Sequence, residues 1–313
     1  MLPFLLRPLA LGSRPSALGI LAVAALAAAS LAVTPIAAGS QLIDRNATGV
    51  KLEVDAKGEA MLTYTAGGKL KHVLAWGAIN AIPPSRDQKQ VAFSLDYSGG
   101  YGKYHVKNYW TTAPWSCLPY DGPTLAFQVA ACKAPDGSYW ALQAWQRALP
   151  DWGVSPSPAQ AAYELHLSHW KGDLPSLQIG MDWSYHRFVH LYGTLTYGGV
   201  PVYGFRSTPA GQPLDTFGRN IYVDTFDSKY GPGWKRENSF LTHKPKGSFC
   251  YGFYPHGSHP SGAGTQYRAY VVGPGVAPDV LWSAADPGPY NKAADATANA
   301  AQKALADPSC KVN

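Results

Sequence analysis

The run from Gly49 to Trp76 limits the fold most. It reads "GVKLEV", "DAKG", "EAMLTYT", "AGG", "KLKHVLAW". Leu52 and Val54 alternate with Lys51 and Glu53, and Met61 and Thr63 alternate with Leu62 and Tyr64. A period of two sends successive side chains to opposite faces, which is strand geometry, and Gly-bearing turns between such runs signal hairpins. A chain that opens its folded part this way must bury the apolar face of a sheet.

The same grammar continues. Pro83 and Pro84 break it, and "VAFSLDYSGGYGKYHV" resumes it. Asp136-Gly137 marks a turn before the strand "SYWALQAWQ", and "PDWGVSPSPAQ" reads as a loop or linker. "AYELHLSHW" and "LPSLQIGMDWSY" read as strands around a "KGD" turn. In "RFVHLYGTLTYGGVPVYGF", a Gly198-Gly199 turn pairs Tyr197 with Val200. Val189, Leu191, Leu195 and Val202 then share one face, and Phe188, His190, Tyr192, Tyr203 and Phe205 share the other. The simplest partner for that aromatic face is the preceding domain. Pro201 implies a free edge there.

Two stretches read as helix. "GPTLAFQVAAC", between Cys117 and Cys132, lacks strict alternation, and Pro123 suits a first helical turn. The tail "NKAADATANAAQKALADPSC" favours helix through its alanines, with almost no apolar face beyond Leu305. The expected fold is mainly β: two β-sandwich-like domains, a short disulfide-flanked helix and an Ala-rich C-terminal helix. The expected domains are 41–185 and 186–313. One continuous large sandwich is the alternative.

The first 38 residues have the layout of a secretory signal. Arg7 and Arg14 precede an uncharged apolar stretch from Ala17 to Val33, and Ala37, Ala38 and Gly39 are small. Cleavage is expected near Ala38. The alternative is an uncleaved N-terminal anchor, which would be the chain's one link to a membrane. Removing the leader takes away two arginines, leaving 24 basic against 20 acidic residues, a formal charge of +4. The basic residues are scattered, and Glu237 offsets the densest patch, Lys235-Arg236, so nucleic acid is not an expected partner. High Ala, Gly and Pro with few Lys suit a GC-rich bacterial source.

Four cysteines, Cys117, Cys132, Cys250 and Cys310, suggest two disulfides in an exported chain. Cys117–Cys132 and Cys250–Cys310 are the favoured pairings of the three possible. No CxxC pair exists, so zinc is disfavoured, and no cofactor motif is present.

For acid–base chemistry the candidates are Glu164 with His166, and Asp182 with His186 and His190. "ELHLSHW" puts Glu164, His166 and Ser168 on one strand face, expected to be exposed, opposite Leu165, Leu167 and His169. Asp182, His186 and His190 would share a face of one long strand, too spread out to meet at one atom. His256 and His259 lie in a Gly/Pro/Ser-rich loop. No GxSxG, HExxH or Walker loop occurs. Aromatics are the stronger signal, with ten Trp, nineteen Tyr and ten Phe. Tyr101, Tyr104, Tyr109, Trp110 and Trp115, in a Gly-rich stretch that begins at Tyr97, are the expected ligand-binding residues.

"GTLTYGGVPVYG", "KGSFCYGFYP" and "TQYRAYVVGPGVAPDV" resemble the opening hairpin and final strands of transthyretin-like accessory β-sandwich modules of exported proteins. The likeness covers Arg187 to Trp282, with "DSKYGPGWKREN" departing from it as an inserted loop. It implies an accessory or scaffold role. The expected function is therefore an exported, non-enzymatic binding or cell-envelope protein, recognising cell-wall glycan or polysaccharide through exposed aromatics. A secreted glycan-acting hydrolase and a purely structural surface module are the alternatives.

Overall fold

A computed structural model describes residues 40–304, apart from 83–86, 148, 151–154, 159–161, 185–187, 202–205, 208–212, 215–220, 229, 237–239, 244–247, 254–263, 272 and 287. The first half contains β1 (Gln41–Arg45), β2 (Thr48–Val54), β3 (Glu59–Ala66), β4 (Lys69–Trp76), β5 (Ser94–Asp96), α1 (Tyr101–Tyr104), α2 (Tyr109–Thr112), β6 (Gln128–Lys133), β7 (Tyr139–Trp145) and β8 (Glu164–Trp170). Next come β9 (Ser176–Ser184), β10 (Phe188–Tyr197), β11 (Val200–Pro201), β12 (Arg206–Ser207), β13 (Pro213–Leu214) and β14 (Ile221–Ser228). The chain continues with β15 (Gly231–Arg236), β16 (Phe240–His243), β17 (Ser248–Phe253), β18 (Gln266–Val271), β19 (Val280–Ala285) and α3 (Lys292–Ala304). The fold is mainly β, as its hairpin signals require.

Two four-stranded antiparallel sheets, β2-β3-β4-β5 and β1-β8-β7-β6, face each other. Between them Leu52, Leu62, Tyr64 and Val73 pack against Ile43, Trp140, Leu142, Leu165 and Leu167. The alternation read from Gly49 to Trp76 makes this possible, because each second residue reaches the shared core.

The outer face of β7 and β8 is also covered. Trp145 stacks on Tyr270 of β18 at 4.1 Å, and Gln143 bonds to the backbone of Asp279. A third sheet, β15-β14-β18-β19, thus lies on the second, and β8 is buried along its whole length. The face holding Glu164, His166 and Ser168, expected to be exposed, is interior because this third sheet lies over it.

A further sheet runs β11-β10-β17-β16, with β9 on the other side of β10. Its hairpin follows expectation: Tyr197 pairs with Val200 across Gly198 and Gly199, both at positive φ, and β11 ends its sheet. The Tyr197 hydroxyl accepts a bond from the Ala81 amide, tying the hairpin to the first half of the chain. Val202, Tyr203 and Phe205 lie outside the described residues, as do the side chains of Phe188, Val189, Leu191 and Tyr192. The division expected between 185 and 186 falls between β9 and β10, which pair along their length.

Three local expectations change. No helix lies between Cys117 and Cys132: residues 128–133 form β6, paired with β7 through the Asp136-Gly137 turn. Asp136 Oδ1 accepts bonds from the Ser138 amide and hydroxyl, fixing that hairpin, so pairing overrides the weak helical pattern. "DSKYGPGWKREN" is the β14–β15 hairpin, not an inserted loop; the Asp227 side chain accepts a bond from the Gly233 amide. The alternation from Val91 to Val106 survives as strand only at β5, after which the chain turns into α1. The alanine-rich tail does form a helix, α3, capped by the Asn291 side chain on the Ala293 and Ala294 amides. The Cys117–Cys132 disulfide is present. Cys310 lies outside the described residues, as does the side chain of Cys250.

Candidate functional site

The aromatic stretch is built on the outer face of β3 and β4. Met61 and Leu74 are buried there beneath Tyr109, with Trp76, Tyr104, Trp110 and Trp115 packed around them. Tyr104 stacks on Tyr109 at 4.4 Å, and Trp110 stacks on His72 at 4.3 Å. The Trp115 indole N–H donates to the Trp110 carbonyl at 2.9 Å. The glycines serve contact rather than exposure. A Cβ on Gly100 would lie 2.5 Å from Tyr109 Cδ1, and one on Gly99 2.7 Å from the Trp110 ring.

Asp96 organises the turn that carries this cap. Its carboxylate accepts bonds from the Ser98 amide and hydroxyl and from the Lys103 amide, and Ser98 Oγ accepts from the Gly102 amide. Glu59, buried on β3, anchors the cap from below. It accepts bonds from Lys103 Nζ at 2.6 Å and from the hydroxyls of Tyr104 and Tyr109. Lys103 Nζ also lies 4.0 Å over the Trp76 ring, a cation–π contact. Burial, and then the bond to Glu59, pushes the Tyr104 phenol well above its usual range.

Of the five expected ligand residues, Tyr101 is the open one, with 54% of its surface exposed. Tyr97, at 57%, opens the turn that leads to α1, and its hydroxyl donates to the Ile43 carbonyl of β1 at 3.3 Å. Tyr104, Trp110 and Trp115 are half-buried, and Tyr109 is buried. The cap is thus a small aromatic core with Tyr101 open at its rim and Tyr97 exposed where the chain enters it.

The acid–base candidates have a different setting. Glu164 and His166 project from β8 into the layer under the third sheet, where Glu164 Oε2 lies 3.1 Å from His166 Nε2. Arg45 donates to Glu164 Oε1 at 3.0 Å, and the Arg147 guanidinium lies 3.2 Å from His166 Nδ1. Burial alone would raise the Glu164 pKa. The His166 hydrogen bond and charge, with Arg147 and Arg45, hold it down to about 2. Ser40 Oγ is 3.1 Å from His166 Nδ1, but it donates its hydrogen to Asp279 Oδ1 at 2.7 Å. The Ser40–His166–Glu164 string is therefore a sealed relay of bonds, with its serine proton already committed to a carboxylate. Sequence reasoning missed Ser40, Arg147, Asp279 and Glu59. Nothing local marks them, since Ser40 and Asp279 meet across 239 positions.

Asp182 and His190 are not on one strand. They are opposed partners across β9 and β10, because the chain reverses between Ser184 and Phe188. Their side chains lie outside the described residues, as do His186, His256 and His259. Among the described residues, no group of three or more His, Cys, Asp or Glu is arranged to hold a metal ion. Compared with known families, curated proteins and solved structures, the chain matches none.

Proposed function

We propose that this is an exported, non-enzymatic binding protein of the bacterial cell envelope, which recognises glycan through the aromatic rim of its cap. The observation that carries this is the exposure of two rings, Tyr97 and Tyr101, at the two ends of a turn fixed by Asp96. A pre-set apolar ring face costs little entropy on binding and suits stacking against a sugar's CH face. The Glu164–His166 pair lends no weight to a hydrolase. Glu164 is buried and held ionised down to about pH 2, so it is a poor proton donor near neutrality. Export rests on the leader-like composition of residues 1–38, and the transthyretin-like pattern of 187–282 supports an accessory role.

A pull-down of the protein lacking residues 1–38 on insoluble glycans and purified cell walls tests this. Retention on at least one glycan is expected. Passage through the whole panel would end the proposal.

A further inference from the structure

Ser40 is separated from the expected leader by Gly39 alone, yet it is fully buried. Its Oγ donates to Asp279 Oδ1 at 2.7 Å, and its carbonyl oxygen lies 3.1 Å from His166 Nδ1. The next residue, Gln41, is already paired with Leu167 of β8. Asp279 is also buried, and its other partners are the Gly273 amide at 3.3 Å and the Trp145 indole N–H at 3.4 Å. All three donors are neutral; no Lys, Arg or His among the described residues makes an ion pair with Asp279, and the charge of Arg147 acts on it only from beyond ion-pair distance. A buried carboxylate is costly without a cation.

Covalent geometry holds a serine nitrogen roughly 3 Å from its own Oγ, so the Ser40 nitrogen lies within roughly 6 Å of the Asp279 carboxylate. Two of the residues before it, Ala37 and Gly39, are small at alternate positions, the pattern that export processing requires. We propose that maturation cuts the Gly39–Ser40 bond, and that the new α-ammonium of Ser40 is the buried counter-charge of Asp279. The step is a hydrolysis. Water adds across the amide, Gly39 leaves with a carboxylate, and Ser40 keeps the nitrogen as an ammonium. It takes place on the unfolded chain during export, before Ser40 is sealed in. Folding then draws the new terminus in beside Asp279, with Glu164, His166 and Arg147 as the other ionisable groups of that layer. The inference rests on the export reading.

The full chain with its leader, produced in an exporting bacterial host, gives the first arm. Intact mass and N-terminal sequencing should show a mature chain that starts at Ser40. A chain left uncleaved would overturn both this inference and the export reading; a cut elsewhere would overturn the inference alone. The second arm compares the Ser40-start protein with one that retains Ala37-Ala38-Gly39, each with Asp279 and with Asp279→Asn. The extension should lower Tm by about 5 °C when Asp279 is present, and Asp279→Asn should remove most of that difference. If Asp279→Asn does not fold, the extension effect in the parent decides. Equal Tm for the two termini would overturn the inference.

Discussion

β8 carries ionisable side chains to both faces, and burial acts differently on Glu164 and His169. His169 points into the core between the first two sheets, stacked 3.7 Å from Trp140 and bonded to the Ser138 hydroxyl. Burial pushes its pKa down to about 4, against the pull of the Ala78 carbonyl. The unfolded chain therefore binds a proton that the native state refuses between about pH 6.5 and 4, and stability falls as pH drops through that window. The loss amounts to roughly 3 kcal/mol at the lower end. Glu164 acts in a lower window. Its native pKa of about 2 lies below the ordinary 4.5, so its contribution is present above about pH 4.5 and is lost as pH falls toward 2. Urea midpoints measured across pH should show both stages. His169→Gln should flatten the upper one. Glu164→Gln should flatten the lower one and cost roughly 3 kcal/mol at pH 7, because Arg45, Arg147 and His166 lose a shared carboxylate. A single slope unaffected by either change would contradict this assignment. The alternation of "ELHLSHW" showed which residues share a face. It did not show that both faces are interior, because the covering residues, Asp279 and Tyr270, lie more than a hundred positions away.

At the scale of elements, hairpins were legible and isolated segments were not. The turns at Gly67-Gly68, Asp136-Gly137 and Gly198-Gly199 carry positive-φ glycines between strands of matching period, so local chemistry and pairing agree. The stretch before Cys132 lacked that agreement, and only the pairing of β6 with β7 decides it. The cap was misjudged differently. Its glycines look like flexible loop, but they exist so that Tyr109 and Trp110 can touch the backbone. Gly100→Ala would put a Cβ into the Tyr109 ring, and it would do so at φ 97°, where side chains are strained. It should cost roughly 2–3 kcal/mol and red-shift the tryptophan emission as Trp115 loosens. An unchanged spectrum and melting curve would contradict the packed cap.

Across the whole molecule, the third sheet binds the rest through buried charge as well as ring stacking. Asp224 on β14 accepts bonds from Arg236 and Arg268, each at 2.9 Å, and Arg236 donates onward to the carbonyl of Arg147 at 2.7 Å. Asp224→Asn leaves two buried guanidiniums underpaired and should cost roughly 3–5 kcal/mol. Because Arg236 reaches into the layer beneath, circular dichroism and tryptophan fluorescence should still report one coincident unfolding transition. Two separated transitions would mean that the halves melt independently. This layering was out of reach from the sequence, since a sheet buried on both sides and a sheet with one wet side differ only in what distant segments cover them.

The proposed recognition centres on the rim of the cap. The decisive measurement is the dissociation constant for an insoluble cell-wall glycan, found by depletion, for the protein beginning at Ser40 and for its Tyr97→Ala/Tyr101→Ala variant. The two rings are exposed and the variant gives up the Tyr97 hydroxyl bond to the Ile43 carbonyl, so it should melt within about 5 °C of the parent while losing roughly tenfold or more in affinity. Equal affinity in two equally stable proteins would show that the rim is not where glycan binds.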